Sequence, residues 1–156
     1  MAYCTVADVR RQLKRIAGSI TISPQAASYG SPGSMFTLNE CGSFIAGADV
    51  EIDGYCYRRY ADQIPFTPVP GEVKWLSERL ATADIIHVGL QYSPDVTTEF
   101  LYDKQLFLRR AATEKLLRIA DGTDNIRGKK IEEPVRNGEV NSDSVFDDIG
   151  GAVRQA

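Results

Sequence analysis

Residues 48–60 read Ala48-Asp49-Val50-Glu51-Ile52-Asp53-Gly54-Tyr55-Cys56-Tyr57-Arg58-Arg59-Tyr60, and the proline-rich turn Ile64-Pro65-Phe66-Thr67-Pro68-Val69-Pro70 follows after three residues. The first stretch is typical of the end of a helix, because Arg58 and Arg59 lie where the helix dipole favours cations. Proline fixes φ and removes amide donors, so the turn is predicted to be a stiff elbow. A helix, an elbow and a further helix indicate a structural part rather than a catalyst.

The composition fits one soluble domain: 156 residues, 43% hydrophobic and 25% charged, with a formal net charge of −3. This mildly acidic balance does not favour nucleic-acid phosphates as a partner, since their binding normally requires a clustered basic surface. An odd number of cysteines without a C-x-x-C pair indicates a reducing compartment, where the three thiols are expected to be small buried hydrophobes. No signal-peptide pattern and no run of about 18 apolar residues occurs, so we expect a cytosolic protein without a membrane partner.

Two capping-box patterns mark helix starts, because Thr5 precedes an acid at position 8 and Thr37 precedes one at position 40. With apolar residues recurring every three or four positions, they predict helices over residues 6–16 and about 38–60. A third helix is predicted from the elbow through Leu90, and a fourth ends at Asp121-Gly122. The apolar residues that mark the helices are Val9, Leu13, Ile16, Ala17, Leu38, Cys41, Ile45, Ala48, Ile52, Tyr55, Val73, Leu76, Leu80, Ala83, Ile86, Phe100, Leu101, Leu106, Leu108, Ala112, Leu116 and Ile119.

The predicted fold class is therefore mainly α: a small four-helix bundle over residues 1–122 that folds without a cofactor. Residues 18–36 form an insertion arm rich in Ser and Gly, in which the alternation of Ser19–Ser23 fits a strand and a possible β-hairpin arm. Residues 123–156 are predicted to be an extended tail. In that tail, three apolar residues are candidates for binding a partner: Val145, Phe146 and Ile149.

The sequence predicts no catalytic, metal or cofactor site. His87 is the only histidine, and no partner for a metal site is visible near it in sequence. Residues 122–130 lack the glycine spacing and the hydroxyl residue of a phosphate loop. The acids Asp49, Glu51 and Asp53 point to different sides of a helix, and we interpret them as a solvent-exposed face.

The basic residues have more than one interpretation. Those on the outer face of the first helix are a solvated face, or a surface for an acidic partner or for nucleic acid: Arg10, Arg11, Lys14 and Arg15. Arg58 and Arg59 either bond the last carbonyls of their own helix or cross to a carboxylate on an adjacent subunit. Candidate contacts between subunits are therefore Arg58 and Arg59, together with Ile20 and Ile22 of the insertion arm.

Several motifs occur in an order that resembles a known family over about residues 3–121. They are Tyr3-Cys4-Thr5-Val6-Ala7-Asp8-Val9-Arg10, residues 48–55 leading to Arg59-Tyr60, the elbow Pro68-Val69-Pro70, and Leu80-Ala81-Thr82-Ala83-Asp84. This order resembles the head-to-tail connector family of tailed bacteriophages, whose members are also called neck adaptors or head-completion proteins. The resemblance implies a small helical subunit that forms a ring, typically twelvefold, beneath the portal and extends the DNA channel.

The same resemblance implies the partners: the portal protein, a stopper or tail-completion protein, and further copies of the chain. DNA would pass through the lumen without sequence-specific binding, and the protein would reside in the virion neck after assembly in the host cytoplasm. Two departures are the long insertion at residues 18–35 and the tail, which matches no motif of the family. The alternatives are a stopper or tail-completion protein of the same neck, and a small nucleic-acid-binding regulator.

Overall fold

The structure, a computed structural model, describes residues 2–17, 20–22, 36–92 and 98–129. In these residues four α-helices follow one another: α1 (Val6–Ile16), α2 (Leu38–Tyr60), α3 (Gly71–Tyr92) and α4 (Thr98–Asp121), with a short 3-10 turn at Ala61–Gln63 after α2. The predicted mainly α fold class is confirmed. The predicted bounds of α1 and α2 and the end of α4 also agree with the structure.

Both predicted capping boxes form, and they explain where α1 and α2 begin. The Thr5 hydroxyl accepts a hydrogen bond from the Asp8 amide at 3.2 Å, and the Asp8 carboxylate accepts one from the Thr5 amide at 3.0 Å. Thr37 and Glu40 repeat this exchange at 3.2 and 2.7 Å. Each box satisfies amide groups that a helix start would otherwise leave without partners.

Helix α3 is the axis of the fold. It contacts α1, α2 and α4. Its side chains are fully buried on several sides, namely Val73, Leu76, Ser77, Leu80, Ala81, Thr82, Ala83, Ile85 and Ile86. A helix that is buried nearly all round must be covered by its neighbours. The outer surface of the bundle therefore belongs mainly to α1, α2 and α4.

The proline-rich elbow closes one end of the bundle around Phe66. This side chain is fully buried, and its ring centroid lies 5.8 Å from that of Tyr3 and 6.0 Å from that of Tyr60. The Phe66 amide donates to the Tyr3 hydroxyl at 3.2 Å. The bonds before Pro65 and Pro68 are cis. The elbow thus joins the first residues of the chain to the end of α2.

The folded part of the chain continues beyond the predicted boundary at residue 122. Gly122 has φ +92°, which turns the chain back after α4. Ile126 is 1% exposed, and its amide donates to the Tyr60 hydroxyl at 3.0 Å. Asp124 accepts a hydrogen bond from Lys115 at 3.0 Å. Residues 123–129, which the sequence assigned to the tail, therefore pack against the helices.

Most of the predicted insertion arm lies outside the described residues, which include only residues 20–22 and 36 of it. These described residues contain no strand, and Ile22 and Phe36 form an isolated parallel bridge, so the β-hairpin arm is not shown. Ile20 and Ile22 are 4% and 8% exposed and belong to the core of their own chain. They are therefore not available to a neighbouring subunit in this conformation, contrary to the prediction, because burial within the chain already uses their apolar surface.

Three residues of the predicted apolar faces are exposed: Leu38 by 40%, Phe100 by 54% and Leu106 by 46%. Leu38 is the first residue of α2. On α4, the buried arc is centred on other positions, which include Leu101, Leu108 and Ala112. Because successive residues are about 100° apart on a helix, Phe100 and Leu106 face away from this arc. These residues therefore mark their helices by spacing without belonging to the core.

Candidate interaction site

The acids of α2 do not form the predicted solvent-exposed face. Asp49 is 7% exposed and accepts hydrogen bonds from the Tyr3 amide at 2.9 Å and from the Ser77 hydroxyl at 2.6 Å. Asp53 accepts a hydrogen bond from the Tyr3 hydroxyl. Burial raises the pKa of Asp49, against the opposing effect of these donors. This cluster anchors the first residues of the chain to α2 and α3.

Arg109 joins the three long helices. Its guanidinium donates to Asp84 of α3 at 2.8 Å and to Glu51 of α2 at 2.7 Å. Burial raises the pKa of Asp84, while the charge of Arg109 acts in the opposite direction. Sequence reasoning missed this contact because the three residues are far apart in the chain and match no local motif.

Arg58 and Arg59, which were predicted to have the same role, lie on different sides of α2. Arg59 turns inward, and its guanidinium donates to the backbone carbonyls of Ile119 at 2.8 Å and Asp124 at 3.1 Å and to the Asn125 side chain at 3.0 Å. It therefore bonds carbonyls at the end of α4, not those of its own helix. Arg58 is exposed and forms no ion pair with the described residues. A contact of either arginine with another subunit stays a prediction.

Replacing Arg59 with methionine should lower the free energy of unfolding by about 2–3 kcal/mol, because hydrogen bonds from a charged donor to carbonyls at the end of α4 are lost. Arg58→Met is the matched control, and its expected effect is within about 0.5 kcal/mol, since an exposed side chain is removed. Urea unfolding followed by circular dichroism measures both. Equal losses for the two variants would contradict the assignment.

The outward face of α2 is small and uncharged over three turns. We call the exposed residues Ser43, Gly47, Val50 and Gly54 the α2 face. Val50 is 72% exposed, and a Cβ added at Gly47 or Gly54 would meet no atom within 4 Å. Glycine in a helix costs about 1 kcal/mol relative to alanine. No neighbour within the described chain accounts for these glycines.

The outward side of α4 exposes large apolar side chains on both of its edges, with the charged residues Asp103 and Arg110 between them. We call Phe100, Leu106, Phe107 and Leu117 the α4 face; Phe107 is 63% and Leu117 51% exposed. A surface groove of about 630 Å³ passes between the aromatic side chains and the flanking charges of Asp103, Lys104 and Arg110. Exposed apolar residues grouped in this way are typical of a protein–protein contact.

The basic residues of α1 do not form one free surface. Arg10 donates to the Ile22 carbonyl at 2.9 Å, and Arg11 lies 3.7 Å from Asp8. Asp8 also binds Lys74 at 3.0 Å. Lys14 and Arg15 are exposed. Two of the four cations are thus already directed to groups of the same chain.

A second groove, of about 650 Å³, lies beside Trp75 at the start of α3. Its basic residues are already paired: Lys115 with Asp124 at 3.0 Å, and Arg127 with Glu72 at 3.5 Å. The charges of this groove therefore contribute to holding residues 124–127 against the helices.

The cysteines are buried and free, as predicted. Burial raises the pKa of Cys4 and Cys41 to about 11 and that of Cys56 to about 12, so the thiolate form is disfavoured at neutral pH. His87 is exposed, with Gln91 Nε2 3.5 Å from its Nε2 atom. Among the described residues, no group of three or more His, Cys, Asp or Glu side chains could hold a metal ion.

The predicted partner-binding residues Val145, Phe146 and Ile149 lie outside the described residues. None of the helices in the described ranges has the length and apolar character required to cross a membrane. No protein-family model matches this chain, and no curated protein matches it in sequence.

Proposed function

We propose that this protein is a structural subunit of the neck of a tailed bacteriophage. In this proposal it forms a homo-oligomeric ring that docks beneath the portal protein; the family resemblance implies that the ring is twelvefold. The ring extends the DNA channel and provides the attachment surface for the stopper or tail. Two features support the proposal: the ordered set of motifs in residues 3–121, and the contacts by which residues of these motifs brace the bundle.

One observation carries the proposal: residues of those motifs brace the bundle, while several large apolar side chains remain exposed on α2 and α4. Tyr3 binds Asp49 and contacts Phe66 of the elbow. Arg59 binds the end of α4. Meanwhile Phe107 and Val50 expose most of their surface. A bundle whose elements are joined by polar contacts around an apolar core, and which also exposes large apolar side chains, suits a protein whose role is to dock.

A ring is a favourable way to use such a subunit. When copies repeat around an axis, each contact joins one face of a subunit to a different face of the next subunit. A closed ring then holds each subunit from both sides. The formal net charge of −3 does not attract phosphates, so DNA could pass through the lumen without tight binding. The proposed partners are therefore the portal, the stopper or tail-completion protein and other copies of the chain, without an enzymatic role.

Native mass spectrometry of the full-length protein, alone and mixed with portal protein, tests this function. We expect a complex that contains several copies of the chain per portal ring. Binding only to a portal that already carries another neck ring would instead favour a stopper or tail-completion role. A chain that stays monomeric and unbound in every mixture would refute the neck function.

The tail gives a second test in the same assay. Removing residues 131–156 should weaken attachment to the portal. The circular dichroism signal of helix per mole of protein should stay unchanged, because α1 to α4 all precede the deletion. A second, full-length variant with serine in place of Val145, Phe146 and Ile149 should weaken attachment in the same way. If both variants bind portal as the wild type does, the tail is not the portal-binding segment.

A further inference from the structure

Nothing among the described residues covers the α2 face or the α4 face, and the two surfaces differ in shape. The α4 face projects large side chains, and Phe107 is its most exposed member at 63%. The α2 face has no side chain at Gly47 and Gly54, and open space lies above both. Small residues allow another helix to approach closely, which large apolar side chains need in order to be covered.

The two faces point in different directions. Helices α2, α3 and α4 all contact one another, so each can turn only its remaining side outward. A contact that joins the α4 face of one copy to the α2 face of the next is therefore heterologous. Such a contact repeats from copy to copy, and it closes into a ring when the rotation permits.

Charges beside the faces match in the same arrangement. Arg58 lies one turn after Gly54 on α2, and Asp103 lies one turn before Phe107 on α4; both are exposed. When the two helices run antiparallel with Phe107 over Gly54, Arg58 lies opposite Asp103. Neither residue forms an ion pair in the described part of the chain.

We infer that a second copy of this chain covers Phe107 of the α4 face with its α2 face, placing Phe107 over Gly54 and Arg58 beside Asp103. This inference rests on the proposed function, because it identifies the contact that would build the ring. This contact also gives Arg58 an ion-pair partner. Arg58 is exposed, whereas Arg59 bonds the end of α4 within its own chain. The occupant is thus the same protein, bound head to tail.

Disulfide trapping tests the contact directly. Helices packed through a glycine have axes about 8 Å apart, which brings facing Cα atoms within the roughly 4.4–6.8 Å that a disulfide requires. The native cysteines are buried and can stay. Full-length Phe107→Cys mixed with full-length Gly54→Cys should give a covalent dimer with one chain of each kind under mild oxidation, whereas each variant alone should give none.

Each other result overturns the inference. A covalent dimer from Phe107→Cys alone would show a symmetric pairing of two α4 faces. A bond within one chain that carries Phe107→Cys and Val145→Cys, in place of the mixed dimer, would show that the chain's own tail covers the face. If the wild type forms a ring and no mixed dimer appears, the inference fails while the proposed function stands; if no self-association occurs even with portal, both fail.

Association measured by analytical ultracentrifugation adds a quantitative test. Phe107→Asp should weaken association by about thirtyfold or more, as for a residue at the centre of an interface. Arg58→Glu and Asp103→Arg should each weaken it by up to about fivefold, and the double variant should restore it. No recovery in the double variant would refute the pairing of these two charges.

Discussion

Replacing Phe66 with alanine should lower the free energy of unfolding by about 3–5 kcal/mol, the usual cost of removing a buried aromatic side chain. Phe66 is fully buried between Tyr3 and Tyr60, and Lys129 Nζ lies 5.7 Å from its ring centroid. The deletion therefore opens a cavity where the elbow, α2 and the ends of the described chain meet. Denaturant unfolding followed by tryptophan fluorescence and circular dichroism measures the loss.

Phe107→Ala is the matched control, because it removes the same side chain from a position that is 63% exposed. Its expected effect is within about 0.5 kcal/mol in dilute protein. The comparison separates the loss of a buried ring from the loss of an aromatic residue in general. Similar unfolding midpoints for the two variants would show that the elbow is not part of the core.

Replacing Asp49 with leucine should lower the free energy of unfolding by about 2–4 kcal/mol, because the buried amide of Tyr3 loses its acceptor and Ser77 loses another. Asp49→Asn is the control. Its side-chain oxygen can still accept from the Tyr3 amide, and its NH₂ group can donate to the Ser77 hydroxyl. The asparagine variant should therefore lose less than the leucine variant, and equal losses would contradict this role of the hydrogen bonds.

The same aspartate should make stability depend on pH. Burial raises the pKa of Asp49 in the folded state, so the folded chain retains a proton that the unfolded carboxyl releases near pH 3.9, the approximate value for a free aspartate. The resulting stabilisation is fully present below that pH and is lost as the pH rises through the folded-state pKa. The stability of the wild type minus that of Asp49→Asn should thus fall from about pH 4 upward. A constant difference up to pH 8 would be inconsistent with a raised pKa.

Local signals were sufficient to predict the helices. Thr5 and Thr37 fix the starts of α1 and α2 through groups within three residues of themselves. The spacing of apolar residues and the glycine at position 122 predicted the rest of the helical class. These features depend only on residues close together in the chain, so they can be predicted from a single sequence.

The contacts that sequence reasoning missed depend on the tertiary arrangement. Asp49 looks like a surface acid by its type, yet it is buried because Tyr3 and Ser77 supply donors. Ile126 lies in a polar stretch, but Tyr60 offers a hydroxyl to its amide. Arg59 differs from Arg58 only by a rotation of about 100° around the helix. No local sequence pattern predicts which residue, distant in the chain, will contact each side of a helix.

The predicted subunit-contact residues differ in exposure in the structure. Arg58 lies on the surface where a contact with another copy is possible, whereas Ile20 and Ile22 are buried. The α4 face was not identified, because Phe100 and Leu106 fit the apolar periodicity of a core helix. Periodicity shows that a helix has an apolar side; it does not show how wide the buried arc is when apolar residues occur on both sides.

The elbow also determines where attachments to the chain would emerge. Tyr3 and Lys129 both lie beside Phe66, so the two ends of the described chain are at one pole of the bundle. An affinity tag or fluorophore added before residue 2 or after residue 129 starts from that pole. In a closed assembly of identical copies, fluorophores attached at residues 2 and 129 would line the same rim, and energy transfer between the two kinds of label would be strong.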